Sequence, residues 1–337
     1  MEEDISDNSF VAIMRKYPPS QVWLKYLMKK LEKNIESYDQ DIDRQTDVFS
    51  DSFVNLLVHL HSCPTDVDDC SFISYRSMVG SDICTMRILR SHNHVGTKVW
   101  EAGLFLSELL TFANIEYEEK NIIELGAGVG ITGILFMKSM MATLSSNIPK
   151  SYIMTDYDDF VLENLQNNIQ LNFGDNQYCT SSGTSLINNG SCSCIVGQHM
   201  DWSIVNEEYT SGFNVDILVA ADCTYSEDLN SYLIQTIELF LQSSHRQRHY
   251  FKDNAKDIGM ESGRPARLSA ASLPFAMIAC TIRNPLTYAD FLHKLEESNS
   301  LEWSDETKWA LTCVPNRFYY YENRDNIHLV CISLKMK

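Results

Sequence analysis

The strongest constraint on the fold is a regular alternation of short apolar runs with longer segments of helical spacing, which extends over most of the chain. Runs such as NIIEL (121–125) and SYIMTD (151–156) are each followed by a segment such as FVLENLQNNIQLN (160–172), in which apolar residues recur at helical intervals. This alternation predicts a mainly parallel sheet with helices on both faces. The count to the end of the chain is seven strands, and KWALTCV (308–314) and HLVCISLKM (328–336) are expected to form a closing hairpin. The prediction is an α/β protein with a seven-stranded, Rossmann-like sheet.

Residues 1–70 show a different pattern, which predicts an N-terminal helical extension that could dock a substrate. Ser20 follows two prolines and suits the N-cap of a helix, and the helical spacing of apolar residues returns over residues 49–60. The β-rich segments FISYRSMV and ICTMRILR flank the turn Gly80-Ser81-Asp82 and predict a hairpin, which we expect at an edge of the sheet. Residues 71–337 form the expected catalytic domain.

Two polar stretches interrupt the alternation. Residues 174–191 are rich in Ser, Asn and Gly, and residues 243–273 are polar and mixed in charge. Both are predicted to be mobile loop insertions. The second stretch carries four arginines in an otherwise acidic protein, which fits either a contact segment or a solvated linker.

The charge balance bears on the kind of partner. With 27 basic and 45 acidic residues, the formal net charge is -18, which disfavours direct nucleic-acid binding and suits a basic partner. The N-terminus lacks the features of a signal peptide, and no apolar run reaches the roughly 18 residues of a membrane span, so we expect a cytoplasmic protein without membrane contact. The ten cysteines and nine histidines follow no zinc-binding pattern, so no metal site is expected.

Four motifs fall directly after predicted strands, where open parallel sheets bind their ligands. The first is ELGAGVG (124–130), whose glycines let a ligand approach the backbone at the start of a helix. Asp156 ends the second strand, where a carboxylate can accept both hydroxyl hydrogens of a ribose. Trp202 lies a few residues after the third strand, where an indole can stack on a purine. The fourth motif is ADCTY (221–225) after the fourth strand.

The glycine motif alone does not identify the ligand. Gly128, Gly130 and Gly133 also spell the G-x-G-x-x-G fingerprint of dinucleotide-binding proteins, which keeps an NAD-dependent oxidoreductase open. A methyltransferase, however, also uses an acidic residue ahead of the glycines, a Trp after the third strand and an Asp-x-x-Tyr after the fourth. The combination therefore favours a methyltransferase over an oxidoreductase.

Each site residue also has a purely structural interpretation. Glu124 either serves the positively charged methionyl part of a methyl donor, directly or through water, or caps the following helix. Trp202 could belong to the core, and Asp222 could simply end a strand. Their joint placement at successive strand ends favours the functional interpretation.

At these residues the chain resembles the seven-strand lysine methyltransferases, and in particular the elongation factor 2 lysine methyltransferase family. The resemblance extends to KYPPSQVWLKYLMKKLEK, ACTIRNPLTYADFLHKLE and YYYENRDNIHLVCISL, so it covers most of the chain, although the two insertions depart from the family pattern. It implies a class I methyltransferase sheet and S-adenosylmethionine as cofactor. The implied cofactor contacts are Trp100, Gly126, Ala127, Gly128, Asp156, Trp202 and Ala221.

The resemblance also implies that Asp222 and Tyr225 form the Asp-x-x-Tyr signature that shapes the channel for the target lysine, and that elongation factor 2 is the substrate. Methyl transfer needs a neutral, aligned amine rather than a strong base, so we assign Asp222 to orientation first and to proton handling second. Tyr225 and Trp100 are candidate channel walls. Methylation of another protein or of a small molecule, and a cofactor-binding module without turnover, are the alternatives.

Overall fold

A computed structural model of the chain describes residues 13–14, 16–19, 24–30, 51–62, 70–89, 94–143, 146–174, 194–251 and 274–335. The strands are β1 (Cys70–Arg76), β2 (Ile83–Leu89), β3 (Asn121–Leu125), β4 (Ser151–Asp156), β5 (Cys194–His199), β6 (Ile217–Ala221), β7 (Phe275–Thr281), β8 (Leu301–Asp305) and β9 (Ile327–Leu334). The helices are α1 (Asp51–Ser62), α2 (Glu101–Phe112), α3 (Ile131–Met141), α4 (Asp159–Phe173), α5 (Glu207–Ser211), α6 (Glu227–Phe251), α7 (Pro285–Glu297) and α8 (Thr307–Cys313). None of the helices in these ranges is both long and apolar enough to cross a bilayer.

The main sheet has seven strands in the order β5-β4-β3-β6-β7-β9-β8. Strands β3 to β7 run parallel to one another, and β9 is antiparallel to both β7 and β8. One apolar core lies between the sheet and α2, α3 and α4, and a second lies between the sheet and α6 and α7. The prediction of a seven-stranded α/β sheet with helices on both faces is therefore confirmed.

The sixth strand was placed wrongly by the sequence pattern. The run KWALTCV is helical and lies almost entirely within α8, and the strand is the preceding LEWSD of β8. The Asp305 carboxylate accepts a hydrogen bond from the Thr307 N–H at 2.9 Å, which helps to start the helix. A short apolar run fits a strand or a buried helix equally well, which explains the error. The expected antiparallel pairing of the last two strands is confirmed, with Leu301 opposite Leu334.

The hairpin β1-β2 forms a separate two-stranded sheet, so its expected position at the edge of the main sheet was wrong. It packs on α4, where asparagine amides bond to the backbone of β2. The Thr85 N–H donates to Asn172 Oδ1 at 2.9 Å, and the Arg87 N–H donates to Asn168 Oδ1 at 2.7 Å. The amide nitrogens of the same two asparagines donate back to the carbonyls of Thr85 and Arg87. The side chains of α4 thus bond to backbone N–H and carbonyl groups on the free edge of β2, which would otherwise need a further strand as partner.

The N-terminal extension is helical at residues 24–30 and in α1. The Tyr17 ring lies 5.2 Å from the Phe72 ring, so the extension contacts the hairpin. Ser20, the expected N-cap, lies outside the described residues. The extension has a small apolar core of its own, formed by Met14, Leu24, Leu56 and Leu60.

The expected insertions lie partly outside the described residues, at 175–193 and 252–273. The start of the second one was placed wrongly, because residues 243–251 continue α6 as regular helix. Within that stretch Arg248 forms an ion pair with the largely buried Asp216. The last turns of α6 are therefore packed structure.

Candidate active site

The four motifs meet at the carboxyl ends of the central strands. In the sheet order, β3 lies between β4 and β6, so the segments that follow these strands are neighbours. The Ala127 N–H donates to the Thr155 carbonyl at 2.8 Å, which joins the glycine loop to the end of β4. The Asp222 N–H donates to the Ala279 carbonyl of β7 at 2.9 Å. The fourth motif is thereby fixed to the next strand of the sheet.

The glycine loop has a backbone that other residues would strain. Gly126 has φ +64° and Gly128 has φ +55°, both in the left-handed region. A Cβ atom on Gly126 would lie 2.7 Å from the Cys223 sulfur and 3.3 Å from the Trp202 ring. A Cβ atom on Gly128 would lie 3.0 Å from the Gly96 carbonyl oxygen. Protein atoms thus already fill the space beside both glycines, and the loop packs closely against Cys223, Trp202 and Gly96.

Asp156 holds this loop from the end of β4. Its Oδ2 accepts a hydrogen bond from the Gly128 N–H at 3.1 Å, and its Oδ1 accepts from the N–H groups of Tyr157 at 2.9 Å and Asp158 at 3.3 Å. Burial raises the pKa of Asp156, although these three N–H donors act in the opposite direction. A carboxylate offers about four acceptor positions, so capacity remains for a further hydroxyl donor.

Asp158 and His94 form a pair that the sequence analysis did not assign to the site. Asp158 caps α4 by accepting from the N–H groups of Phe160 and Val161, and His94 Nδ1 lies 2.5 Å from Asp158 Oδ2. Partial burial would raise the pKa of Asp158, but the hydrogen bonds from His94 and the two N–H groups lower it. Within the described ranges, no cluster of three or more His, Cys, Asp or Glu side chains is arranged to hold a metal ion.

Glu124 is fully buried beneath the glycine loop. The Tyr152 hydroxyl donates to Glu124 Oε2 at 3.1 Å, and further hydrogen bonds come from the Thr132 side chain and the Gly133 N–H in the first turn of α3. Burial raises the pKa of Glu124 to about 7, against the effect of these donors. The structure therefore places this carboxyl at the start of α3, as the helix-capping interpretation expects.

Trp202 and Ala221 line the opposite side of the loop. The edge of the Trp202 ring faces Gly126, and the partly buried side chain packs against the core between the sheet and α6. Ala221 ends β6 and lies beneath the start of α2, where a Cβ atom on Gly103 would be 4.0 Å from the Ala221 methyl group. Both residues thus lie where the sequence pattern put them, next to the glycine loop and at the end of a strand.

Asp222 has the left-handed φ of +54°, which is uncommon for a residue other than glycine. Its side chain is only 4% exposed and is surrounded by donors. Oδ1 accepts from the Thr281 N–H at 2.8 Å, and Oδ2 accepts from the Thr281 hydroxyl at 3.0 Å and the Ala102 N–H at 3.3 Å. Asp222 therefore joins the ends of β6 and β7 to the first turn of α2.

Arg283 is a further site residue that the sequence analysis missed. Its guanidinium forms ion pairs with Glu101 and with Asp222, the latter at 3.2 Å, and lies 4.9 Å from the centroid of the Trp100 ring. Partial burial would lower the pKa of Arg283, but the two carboxylates raise it. Arg283 lies two residues after the end of β7, and its position after a central strand is the signal by which it could have been found.

Three aromatic side chains near the site are exposed to solvent. Tyr225 is 54% exposed, Tyr157 is 59% exposed and Trp100 is 37% exposed. Burial of part of the Tyr225 ring, together with the nearby Cys223, Tyr157 and Asp156, raises the pKa of its hydroxyl to about 12. Tyr225 is therefore on the same side of the sheet as Asp156, at the surface of the site.

Comparison with known proteins finds similarity to methyltransferases. A family model described as lysine methyltransferase matches residues 85–255, half of the chain. The protein-lysine N-methyltransferase EEF2KMT of Mus musculus is 30% identical over 154 residues, which cover 44% of this chain and 41% of the relative. The EEF1A lysine methyltransferase 3 of Xenopus tropicalis is 26% identical over 195 residues, which cover 53% of this chain and 73% of the relative.

The alignments leave much of the EEF2KMT relatives unmatched, since the chain spans 41% of the length of the mouse protein and 64% of that of the Bos taurus protein. Among solved structures, the O-methyltransferase from Bacillus cereus in complex with SAH aligns with 71% of this chain and 83% of its own, at 9% identity and a TM-score of 0.37.

Proposed function

Because the chain belongs to the lysine methyltransferase family, we propose that it transfers a methyl group from S-adenosylmethionine to a lysine of a protein. The observation that carries this proposal is the meeting of two groups of residues at one edge of the sheet. The glycine loop, Asp156 and Trp202 suit the cofactor, and Asp222 with Tyr225 suits the lysine. Membership of the family explains why both groups occur together.

The cofactor half fits S-adenosylmethionine by its donors, acceptors and shape. Gly126 and Gly128 let the loop turn with positive φ and pack closely against Cys223, Trp202 and Gly96, so its backbone lies directly beside Trp202 and Asp156. Asp156 has acceptor capacity for ribose hydroxyls, and the Trp202 indole can stack on adenine. Trp100, Glu124, Ala127 and Ala221 complete the proposed cofactor site, with Glu124 acting through the start of α3.

When bound, S-adenosylmethionine supplies a methyl carbon on a positively charged sulfur. The residues of the chain have to align a neutral lysine amine with that carbon, and alignment accounts for most of the rate increase. Trp100 and Tyr225 are the proposed walls of the lysine channel, where they exclude water and favour the neutral amine. Asp222 holds the Thr281 and Ala102 backbone in place, so its proposed first role is orientation of the groups around the lysine.

We further propose elongation factor 2 as the substrate and the cytoplasm as the location. The support is the name of the mouse relative and the resemblance of the TIRNP segment and of the C-terminal tail to that family. The formal charge of -18 suits a partner that presents a lysine in a basic surface. Elongation factor 1A is the second candidate, because EEF1A lysine methyltransferase 3 aligns over a larger share of its own length.

The N-terminal extension is the proposed docking region. Lys30 lies 5.0 Å from the Tyr26 ring and 5.9 Å from the Tyr320 ring, so the helix at 24–30 reaches the segment before β9. In that segment Asn323 Nδ2 donates to Glu101 Oε1 at 3.4 Å. These contacts connect the extension to the start of α2, and therefore to the proposed lysine channel.

Labelled S-adenosylmethionine tests the proposal. The chain is incubated with purified elongation factor 2 or with purified elongation factor 1A, and the modified residue is identified by mass spectrometry. We expect label on one lysine of elongation factor 2, and no label with the Asp156→Ala variant. Label on elongation factor 1A alone would replace the substrate, and label on neither protein nor on any lysate protein would refute the activity.

A further inference from the structure

The Arg283 guanidinium occupies the center of the proposed lysine site. It lies between the carboxylates of Asp222 and Glu101 and over the face of Trp100. The side chain is 41% exposed, so this arrangement is at the surface, where a substrate can reach it. The proposed function gives this cation no role, although it forms an ion pair with Asp222.

The hydrogen bonds of Asp222 limit what this residue can do for a lysine. A carboxylate has about four acceptor positions. Three are used by the Thr281 N–H, the Thr281 hydroxyl and the Ala102 N–H, and Arg283 contacts both oxygens. Asp222 is therefore saturated while Arg283 is in place, and it has no position left for a lysine ammonium group.

The net charge of the site decides the protonation state of an entering lysine. In the described part of the chain, the charged groups that face Arg283 are Asp222 after β6 and Glu101 at the start of α2; Asn323, which contacts Glu101, is neutral. With Arg283 the two carboxylates leave one net negative charge. Without Arg283 they would leave two, and each added negative charge stabilises an ammonium ion and disfavours the neutral amine.

We propose that Arg283 is a positioning residue whose fixed positive charge cancels one of the two carboxylate charges and so weakens the stabilisation of a lysine ammonium, which favours binding of the target amine in its neutral form. This inference rests on the proposed function. The lysine gives its proton to water before transfer. The nitrogen lone pair then forms the N–CH₃ bond while the C–S bond breaks. The electron pair of the C–S bond goes to the sulfur, which becomes neutral, and the nitrogen takes the positive charge.

The test is the pH dependence of kcat, measured with saturating elongation factor 2 and S-adenosylmethionine, because kcat reports ionisation in the bound complex. For Arg283→Gln, loss of the positive charge raises the pKa of the bound lysine, so the acid limb should move to higher pH by about one unit. At a pH below that limb, kcat should fall about tenfold. Arg283→Lys keeps the charge, so its limb should stay close to that of the wild type.

Glu101→Gln gives a result of opposite sign, because it removes a negative charge and leaves Arg283 in place. Its acid limb should move to lower pH. A purely structural role for Arg283 would not shift the limb in opposite directions for the two variants. Since the two substitutions are independent, Glu101→Gln also tests the inference if Arg283→Gln fails to fold in a thermal melt.

Arg246→Gln is the matched control. Arg246 is 55% exposed on α6 and lies 3.8 Å from Glu207 of α5, outside the site. Its acid limb should coincide with that of the wild type. Normal wild-type transfer with unshifted limbs for Arg283→Gln and Glu101→Gln would overturn the inference and leave the proposed function intact. A wild-type chain without transfer to any lysine would instead overturn the proposed function, and this inference with it.

Discussion

Asp156 Oδ2 accepts a hydrogen bond from the Gly128 N–H at 3.1 Å, so the residue proposed to bind the ribose also holds the glycine loop. The two tasks use different acceptor positions of one carboxylate. A change at Asp156 is therefore expected to act on cofactor binding in two ways, through the lost ribose contact and through a looser loop.

For Asp156→Ala we expect the affinity for S-adenosylmethionine to fall more than tenfold, which corresponds to more than about 1.4 kcal/mol. Titration calorimetry measures this directly. Asp159→Ala is the matched control, because Asp159 is an exposed carboxylate in the first turn of α4. Equal affinities of the two variants would contradict the assignment of Asp156 to the cofactor.

Asp222 and Trp202 should separate turnover from cofactor binding. Asp222→Ala removes the acceptor that joins β7 to the start of α2, so it should abolish transfer while cofactor affinity stays within about tenfold. Trp202→Ala should weaken cofactor binding more strongly. The measurements are single-turnover transfer rates and calorimetric affinities. Near-normal transfer by Asp222→Ala would show that this residue is not needed at the lysine site.

The raised pKa of Glu124 predicts a pH-dependent stability difference. Its folded pKa of about 7 exceeds the usual value of 4.5, so the folded state binds more protons in this range and the free energy of unfolding falls as pH rises from 4.5 to 7. Glu124→Gln removes this ionisation. The stability of Glu124→Gln relative to the wild type should therefore increase by up to about 3 kcal/mol between about pH 4.5 and pH 7.

Urea unfolding at both pH values measures this difference, and the comparison of the two proteins cancels the contribution of Asp156, whose pKa is also raised. A relative stability that is the same at both pH values would show that Glu124 titrates at its usual pKa. Glu124→Gln keeps the shape of the side chain, so the comparison does not depend on a cavity.

Asn168 should be required for the attachment of the hairpin. Its amide bonds to both backbone groups of Arg87 and donates to the Val129 carbonyl at 3.0 Å. Asn168→Ala removes the partner of the Arg87 N–H and one donor to the Val129 carbonyl, while the Arg87 carbonyl keeps its bond from Asn164, so we expect a loss of about 2 to 4 kcal/mol in the free energy of unfolding. Urea unfolding gives the value. Asn167→Ala, an exposed position on the same helix, should change it little.

The corrected end of α6 predicts different outcomes for two loop replacements. A short Gly-Ser linker in place of 252–273 keeps the ion pair of Arg248 with Asp216, so folding should be retained. The same linker in place of 243–273 removes that ion pair and the last turns of the helix, so the melting temperature should fall. Thermal melts distinguish the two. Equal melting temperatures would show that residues 243–251 contribute nothing to stability.

The sequence pattern was sufficient to place residues whose position follows from the end of a single strand. Glycines, Asp156 and Asp222 each follow a strand directly, so knowledge of the strand also placed the residue. Arg283 also lies just after a strand, but its role could not be assigned from that position alone, because the role depends on Glu101 of α2 and on Asp222 after β6. The sequence could not decide whether Glu124 caps the following helix for a similar reason, since the direction of a buried carboxyl depends on the helix packed against it.

The hairpin contacts on α4 have a geometric consequence. Four residues of helix rise about 6.0 Å and two residues of strand about 6.8 Å, so Asn168 and Asn172 can both match β2 in register. The difference between the helix rise and the strand rise accumulates with every further pair of contacts. At Asn164 the amide nitrogen bonds to the Arg87 carbonyl again, at 3.1 Å, rather than to the next residue of the strand with the same orientation. The spacing of side chains along a helix therefore matches the spacing of residues along a strand over about two successive contacts only. This sets an upper limit on the length of the hairpin that α4 can hold.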